Sequence, residues 1–449
     1  MTVENIRGVS QAAFEIVLKA QPTWLKDYKR SAWDVFNNMT LNGKREKFSE
    51  VIESLEIENK NLINTLSEPV NMEEFRNQWG DLDGCFVSNG STFLNEELAK
   101  KGVILKSLKL ALTENEDLVK QYLTKNNLTA KDSRFTALAE ALWTDGVFMY
   151  VPKDTEVSLP IHLLKWTDKG NGQNYYKTLI VVEEGSKVLL IDEFNSENTN
   201  EFFLVDGVNE IHVKDNANVT YIHLQNLDYN AFNFSLQKAI LGKGSELLML
   251  SLSMGAQFSY ENIRTYMEKS GSNAEILGLV IGEKEQVFQH ETLQYHPSPS
   301  AQSNLHFEVM LKDKAESAHN GFVQIEKQAQ KTDARQLIRN LLLSRKAKAE
   351  AIPNLEILAD DVKCAHGVSL GPVNPEELFY LESRGFNPEQ SSNFIIEGTI
   401  ESIMNKLAKK TNDEDDEDVA EENYFDETAT LATRVRDYVL DNLAKREVK

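Results

Sequence analysis

Cysteine is nearly absent: Cys85 and Cys364 are the only two in 449 residues. Two thiols cannot build a disulfide framework, which excludes the small secreted scaffolds and makes a reducing cytoplasm the expected compartment. Long apolar runs are missing as well, so no membrane span is expected. The N-terminal MTVENIRGVSQAAFEIVLKAQP interleaves charges with apolar residues and has no signal-peptide core. Basic residues are in deficit, 48 against 70 acidic, and the net charge of -22 disfavours nucleic acid as a partner. Several catalytic signatures are also lacking. No GxxxxGK[ST] loop is present, so the chain is not expected to hydrolyse ATP itself, and there is no GxSxG elbow. Gly242-Lys243-Gly244 lacks the third glycine and following helix of a dinucleotide site.

What is present divides into three regions. Residues 1–140 read as mainly helical. Val9, Ala13, Ile16 and Val17 have helical spacing, and Pro22 can open a second helix carrying Trp24, Leu25, Tyr28, Ala32, Trp33 and Phe36. Further helical patterns cover Met72–Trp79, Leu94–Lys101 and Glu116–Lys125, with a short strand and turn at Asp81–Gly90. Residues 375–449 are again helical. Phe394, Ile395, Ile396, Ile400, Ile403, Met404 and Leu407 form one apolar stripe, and Leu431, Val435, Tyr438, Val439 and Leu443 form another. Between the stripes, Asn412–Asn423 (NDEDDEDVAEEN) reads as a solvated acidic linker. These helices either fold back on the core or dock a partner.

Residues 141–374 have a different texture. Short runs rich in Val, Ile, Leu and Phe alternate with Gly, Asn and Asp turns, as in KTLIVVEEGSKVLLIDEF and NEIHVKDNANVTYIHLQNL. Small residues recur at these turns: Gly185, Ala217, Gly244, Gly271, Ala315, Ala329 and Ala347. They stand roughly 14 to 18 positions apart or about twice that, an interval that suits a β-solenoid whose coils stack strand under strand. An antiparallel sandwich would also give short strands. Small-residue corners without hairpin dipeptides favour the solenoid. The chain is therefore expected to be mainly β, a β-solenoid core flanked by helical regions.

The block Glu326–Gly385 concentrates the candidate chemistry. Cys364 and His366 are two apart, so in a strand thiol and imidazole project to one face. Thiolate suits iron–sulfur clusters and imidazole suits iron. Two ligands do not close a site, so a partner would supply the rest; otherwise Cys364 is a small core residue and His366 a turn residue. Asp360 and Asp361 look buried, but as strand neighbours they face opposite ways, which favours a turn role over acid–base work. His290, His296, His306 and His319 form a loose cluster without HExxH spacing. They are expected as separate surface or corner residues, although stacked coils can bring two together. Cys85, between Gly84 and Phe86, is expected to serve packing.

Within this block the strings Gln330-Lys-Thr-Asp-Ala-Arg-Gln336, Asn340-Leu-Leu-Leu-Ser344, Pro353-Asn-Leu-Glu-Ile357, Ala359-Asp-Asp-Val-Lys-Cys-Ala-His-Gly367 and Leu378-Phe-Tyr-Leu-Glu-Ser-Arg-Gly385 occur in order. In these strings, and more loosely from Leu138 to Leu407, the chain resembles the SufD family of the SUF iron–sulfur cluster assembly scaffold. The paralogous SufB family carries a Glu-His-Glu-Ala string where Cys364-Ala365-His366-Gly367 stands here, so the resemblance is to SufD. It implies a right-handed parallel β-helix with helical regions at both ends, pairing with SufB and binding of one SufC ATPase through the C-terminal helices. His366 would then lie at the SufB interface and help hold a transient iron or iron–sulfur cluster, with no cofactor bound stably.

The function so expected is a non-catalytic scaffold subunit of the SufBCD complex. Two alternatives stand beside it. A carbohydrate-active β-helix enzyme would call for a signal peptide, and a SufB-like scaffold would hold a cluster alone.

Overall fold

From Asp145 to Pro372 the chain winds through about eight turns of a solenoid. In this computed structural model the described residues are 6–7, 9–39, 56–57, 79–88, 91–123, 132–167, 172–409 and 424–447. Each coil contributes one strand to each of two sheets. One sheet runs from Ile104–Ser107 and Asp145–Val151 through alternate strands to Lys348–Ile357. The other runs from Thr92–Leu94 and Gly84–Val87 to Lys363–Pro372. Within the solenoid all neighbours are parallel and in register, with partners 26 to 32 residues apart (Phe232 with Phe258, His319 with Ala351). The expected β-solenoid is thus the observed fold, and parallel pairing rules out the sandwich.

The corners explain the repeat. On one edge, every coil but the last has a single residue in the left-handed region: Asp154, Gly185, Asn216, Gly244, Gly271, Ser300 and Lys331. Glycine is demanded where corners crowd, since a Cβ on Gly185 would stand 2.4 Å from Asp154 Oδ1 and one on Gly244 2.7 Å from Asn216 Oδ1. The next residue is always small and buried: Thr155, Ser186, Ala217, Ser245, Ser272, Ala301 and Thr332. All five of these hydroxyls donate to nearby carbonyls, such as Ser186 to Pro152 (2.6 Å) and Ser245 to Gly242 (2.8 Å). The interval read from Gly and Ala alone is irregular because Ala315 and Ala347 lie on the opposite edge, while Asp154 and Ser300 hold left-handed corners without glycine.

Three layers of core result. The lumen is filled by apolar columns such as Leu190, Tyr221, Met249, Ile276 and Leu305. The outer face of the first sheet is covered by the N-terminal helices Gln11–Lys19, Thr23–Asn38, Leu108–Glu114, Glu116–Leu123 and Arg134–Leu142. The outer face of the second is covered by Pro388–Lys409 and Tyr424–Glu447, whose Ile400, Ile403, Leu407, Val435 and Val439 pack on Leu250, Leu252 and Leu279. The two long C-terminal helices therefore fold back on the core. Most of the expected helix Met72–Trp79 and all of the acidic run Asn412–Asn423 lie outside the described residues. No helix among the described residues is long and apolar enough to cross a membrane.

A buried ion triad joins the N-terminal helices to the solenoid. Lys177 Nζ donates to Glu140 Oε1 (2.6 Å) on helix Arg134–Leu142 and to Glu210 Oε2 (2.9 Å) on the next coil. Burial pushes the Lys177 ammonium down, but the two carboxylates outweigh it and hold it above its ordinary value. Replacing Lys177 by Met removes the cation that these two buried carboxylates share. We expect a loss of about 3–5 kcal/mol in the free energy of urea unfolding.

Candidate functional site at the open end

The two ends of the solenoid differ. At the N-terminal end each sheet finishes in a short antiparallel strand, Ile104–Ser107 or Thr92–Leu94. At the C-terminal end the sheets stop at Lys348–Ile357 and Lys363–Pro372, with no further strand and no covering helix among the described residues. Apolar side chains are left in the open there: Ile352 is 47% exposed, Leu358 51%, Val368 42% and Leu370 53%. Pro353, which has no N–H to give, suits a strand with one unpaired edge. Exposed apolar residues at an unpaired strand edge of this kind mark an interaction surface.

The two expected ligands lie on this last coil. Register places Cys364 one coil beyond Ala334 and His366 one coil beyond Gln336. Ala334 is fully buried and Gln336 almost so, so both positions continue interior columns that the open end uncovers. His366 extends the apolar column of Ile276 and Leu305, which turns polar at Gln336 and ends in an exposed imidazole. Cys364 is half-buried against Val323, Ile325, Ala329, Ala334 and Ala359. Burial, followed by the nearby Asp333, raises its thiol pKa, so the free thiol is the resting form and a metal would be needed to draw out the thiolate. Among the described residues no three His, Cys, Asp or Glu side chains are placed to hold a metal together. Cys364 and His366 thus offer part of a ligand set.

Other candidates move. Asp360 and Asp361 are exposed, not buried, because they fall in the turn between the last two strands. There the Asp361 carbonyl accepts from Lys331 N–H (2.6 Å) and its N–H donates to Gln330 Oε1 (2.9 Å). The four histidines are not surface residues: His290 and His296 are fully buried, His319 and His306 nearly so. The reason is coil length. His290 and His319 are register partners on adjacent coils, and their rings stack at 5.8 Å. His296 meets Ser303 Oγ at 2.8 Å inside the lumen. His306 sits on the outer face between Glu308 Oε1 (2.7 Å) and the Lys406 ammonium of helix Pro388–Lys409. Cys85 is buried as packing, its thiol pushed up to about 12 by burial and then by Glu193.

Two features escaped the sequence. One is Gln336, whose polarity in an apolar column shows only once the register is known. The other is the exposure of helix Pro375–Ser383, a helix expected within the 375–449 region, which buries none of its residues and leaves Phe379 72% and Tyr380 56% exposed beside a cleft of about 410 Å³ lined by Tyr380, Leu381 and Ile395. Its sequence signal was a Pro at the first position and two adjacent aromatics that no single helical face can hide.

Comparison with known proteins agrees with this architecture. The family described as "SUF system FeS cluster assembly, SufBD core domain" matches residues 165–399, and the "SufBD protein N-terminal region" matches residues 11–163. The likeness thus reaches the N-terminal third. The iron–sulfur cluster assembly protein SufD of Bacillus subtilis is 31% identical over 316 residues, 70% of this chain and 72% of that protein. A SufBD family iron–sulfur cluster assembly protein of Staphylococcus saprophyticus is 27% identical over 70% of this chain and 67% of its own. One from Synechocystis is 30% identical over 61% and 62%.

The buried histidines carry a pH consequence. Burial holds His223 and His296 down to about 4, against about 6.5 in the unfolded chain. On acidification the unfolded chain takes up these protons first, so stability falls from pH 6.5 down to about 4. Each group contributes about 3 kcal/mol over that window. Urea midpoints measured across it should decline, and His296→Gln should flatten part of the decline.

Proposed function

The chain belongs to the SufBD family of iron–sulfur cluster assembly proteins, and from that premise we propose that it is a non-catalytic scaffold subunit which pairs through the open end of its solenoid with a SufB-type paralogue. Its role is in iron–sulfur cluster assembly. The observation that carries the finer reading is the open end itself. Thiol and imidazole stand on one face of an edge strand, followed on that face by exposed Val368 and Leu370, with too few ligands to close a site. Capping by a second solenoid buries the apolar edge and brings the missing ligands. His366 then binds iron or the nascent cluster as cargo, and Cys364 joins it once a metal lowers the cost of losing its proton.

Helix Pro375–Ser383 supports a second contact. Its bare Phe379 and Tyr380 are the kind of aromatic anchors that a partner pocket takes, and we assign this face to the SufC-type ATPase. The long helices beside it, packed on the second sheet, give the ATPase a mechanical link to the solenoid.

In a complex reconstituted with SufB and SufC partners, His366→Ala should lower the iron and acid-labile sulfide recovered several-fold. Because His366 is exposed, the variant should keep the complex intact and change stability by no more than about 0.5 kcal/mol. Undiminished cluster yield would remove His366 from the ligand set. Replacing Phe379 and Tyr380 by Ala should weaken ATPase binding by about 2 kcal/mol, some 30-fold, while the pairing of the two scaffold chains survives. Retention of the ATPase at wild-type affinity would place its contact elsewhere.

A further inference from the structure

The buried histidines form an interior strip that the assembly reading leaves unused. Successive coils put Glu261, His290 and His319 at one register position, and Ala351 of the last coil follows them. Glu261 collects the hydroxyls of Ser251 (2.9 Å), Ser253 (2.6 Å) and Ser259 (3.2 Å), two of them from the opposite sheet, so its carboxyl group lies in the lumen. His290 Nε2 is 3.8 Å from Glu261 Oε2, within ion-pair range but too far for a direct hydrogen bond. His319 Nε2 meets Thr292 Oγ1 at 3.1 Å. Gly321, the next interior position on that strand, leaves the gap that Gln336 enters, since a Cβ there would stand 2.8 Å from Gln336 Oε1. His366 lies one coil beyond Gln336. Polar side chains therefore lead from Glu261 through His290, His319 and Gln336 to the open end.

Five atoms of this strip meet no hydrogen-bond partner: both ring nitrogens of His290, Nδ1 of His319, and both amide atoms of Gln336. All three residues are at most 2% exposed. Buried polar atoms left in that condition are strongly disfavoured, and a cluster of them along one line calls for small molecules that both donate and accept. Water is the ligand that meets this chemistry, each molecule taking two to four bonds.

We propose that this strip holds a file of water and forms a proton path from the open end to Glu261. The reason for such a path is chemical. A thiol or hydrosulfide that becomes a metal ligand must give up its proton, and an edge covered by a partner has no bulk solvent beside it. The S–H bond breaks as the metal–sulfur bond forms. The proton then moves along the water by exchange of O–H bonds, is held in passing on a ring nitrogen of His319 or His290, and ends as an O–H on Glu261. No electron is transferred. Hydration of the strip does not depend on the identity of the cargo, so it can fail or succeed separately from the assembly reading.

The test uses the full chain in deuterated buffer and follows exchange of the imidazole C2 hydrogens by mass spectrometry. His290 and His319 should exchange in the wild type. Ala351→Leu, which plugs the lumen at the half-buried last coil, should slow both at least tenfold and leave exposed His366 unchanged; Gln336→Leu serves as a second plug should the first not fold. No exchange at His290 and His319 in the wild type means a dry strip and overturns the proposal. Exchange that neither plug slows means that water does not come from the open end, which overturns it equally. For the acceptor, infrared difference spectra on acidification should show a protonated-carboxyl band that Glu261→Gln removes and the plugs delay. A spectrum unaltered by Glu261→Gln takes the terminal role from Glu261.

Discussion

In-register parallel stacking is the constraint on which everything else in this molecule depends. Because each strand lies directly on the one before, every side chain has a counterpart one coil away at the same position. Whatever a position holds is repeated along the axis, as a corner, an apolar column or a line of polar groups. The left-handed corner from Asp154 to Lys331 shows the rule at the backbone level, and the small buried residue after it shows the rule in packing. Columns that stay apolar make the lumen, and the one that turns polar at Gln336 delivers an imidazole to the end.

The same constraint requires that the stack be stopped. A sheet edge presents unpaired N–H and C=O groups and invites another strand. The N-terminal end answers with antiparallel strands from the chain itself. The C-terminal end does not, and beside the charges of Lys348, Glu350, Glu356 and Lys363 it leaves Ile352, Val368 and Leu370 exposed. The helical regions follow the same division of labour. They cover the outer faces of the earlier coils and leave the last coil and helix Pro375–Ser383 bare. Function is thus concentrated where the chain has not covered itself.

Much of this was legible in the residues. Strand-and-turn texture from Asp145 onward gave the solenoid, apolar spacing gave the terminal helices, and the two-residue offset put Cys364 and His366 on one face. What escaped depended on distance along the coil. His290 and His319 are 29 positions apart, and nothing local says that this equals one turn. Asp360 and Asp361 looked buried because apolar strands flank them, yet they sit in the turn that joins those strands. The repeat itself was blurred because Ala315 and Ala347 belong to the opposite edge of the coil, and because Asp154 and Ser300 hold left-handed corners where only Gly or Ala had been counted. Register has to be known before such residues can be read, since it is a property of the whole coil.

The unfinished end has a thermodynamic meaning. Stability in a stacked array is held between nearest neighbours, so such an array opens from whichever terminus has the fewest contacts. Here that terminus is the coil bearing Cys364 and His366, which has a neighbour on one side only. A companion that settles on it supplies the missing neighbour, and by mass action adds to the ordering of that coil whatever free energy its binding provides. The lifetime of the ligand face and the lifetime of the pair are therefore one quantity: when the companion leaves, the ledge that held the cargo loosens with it.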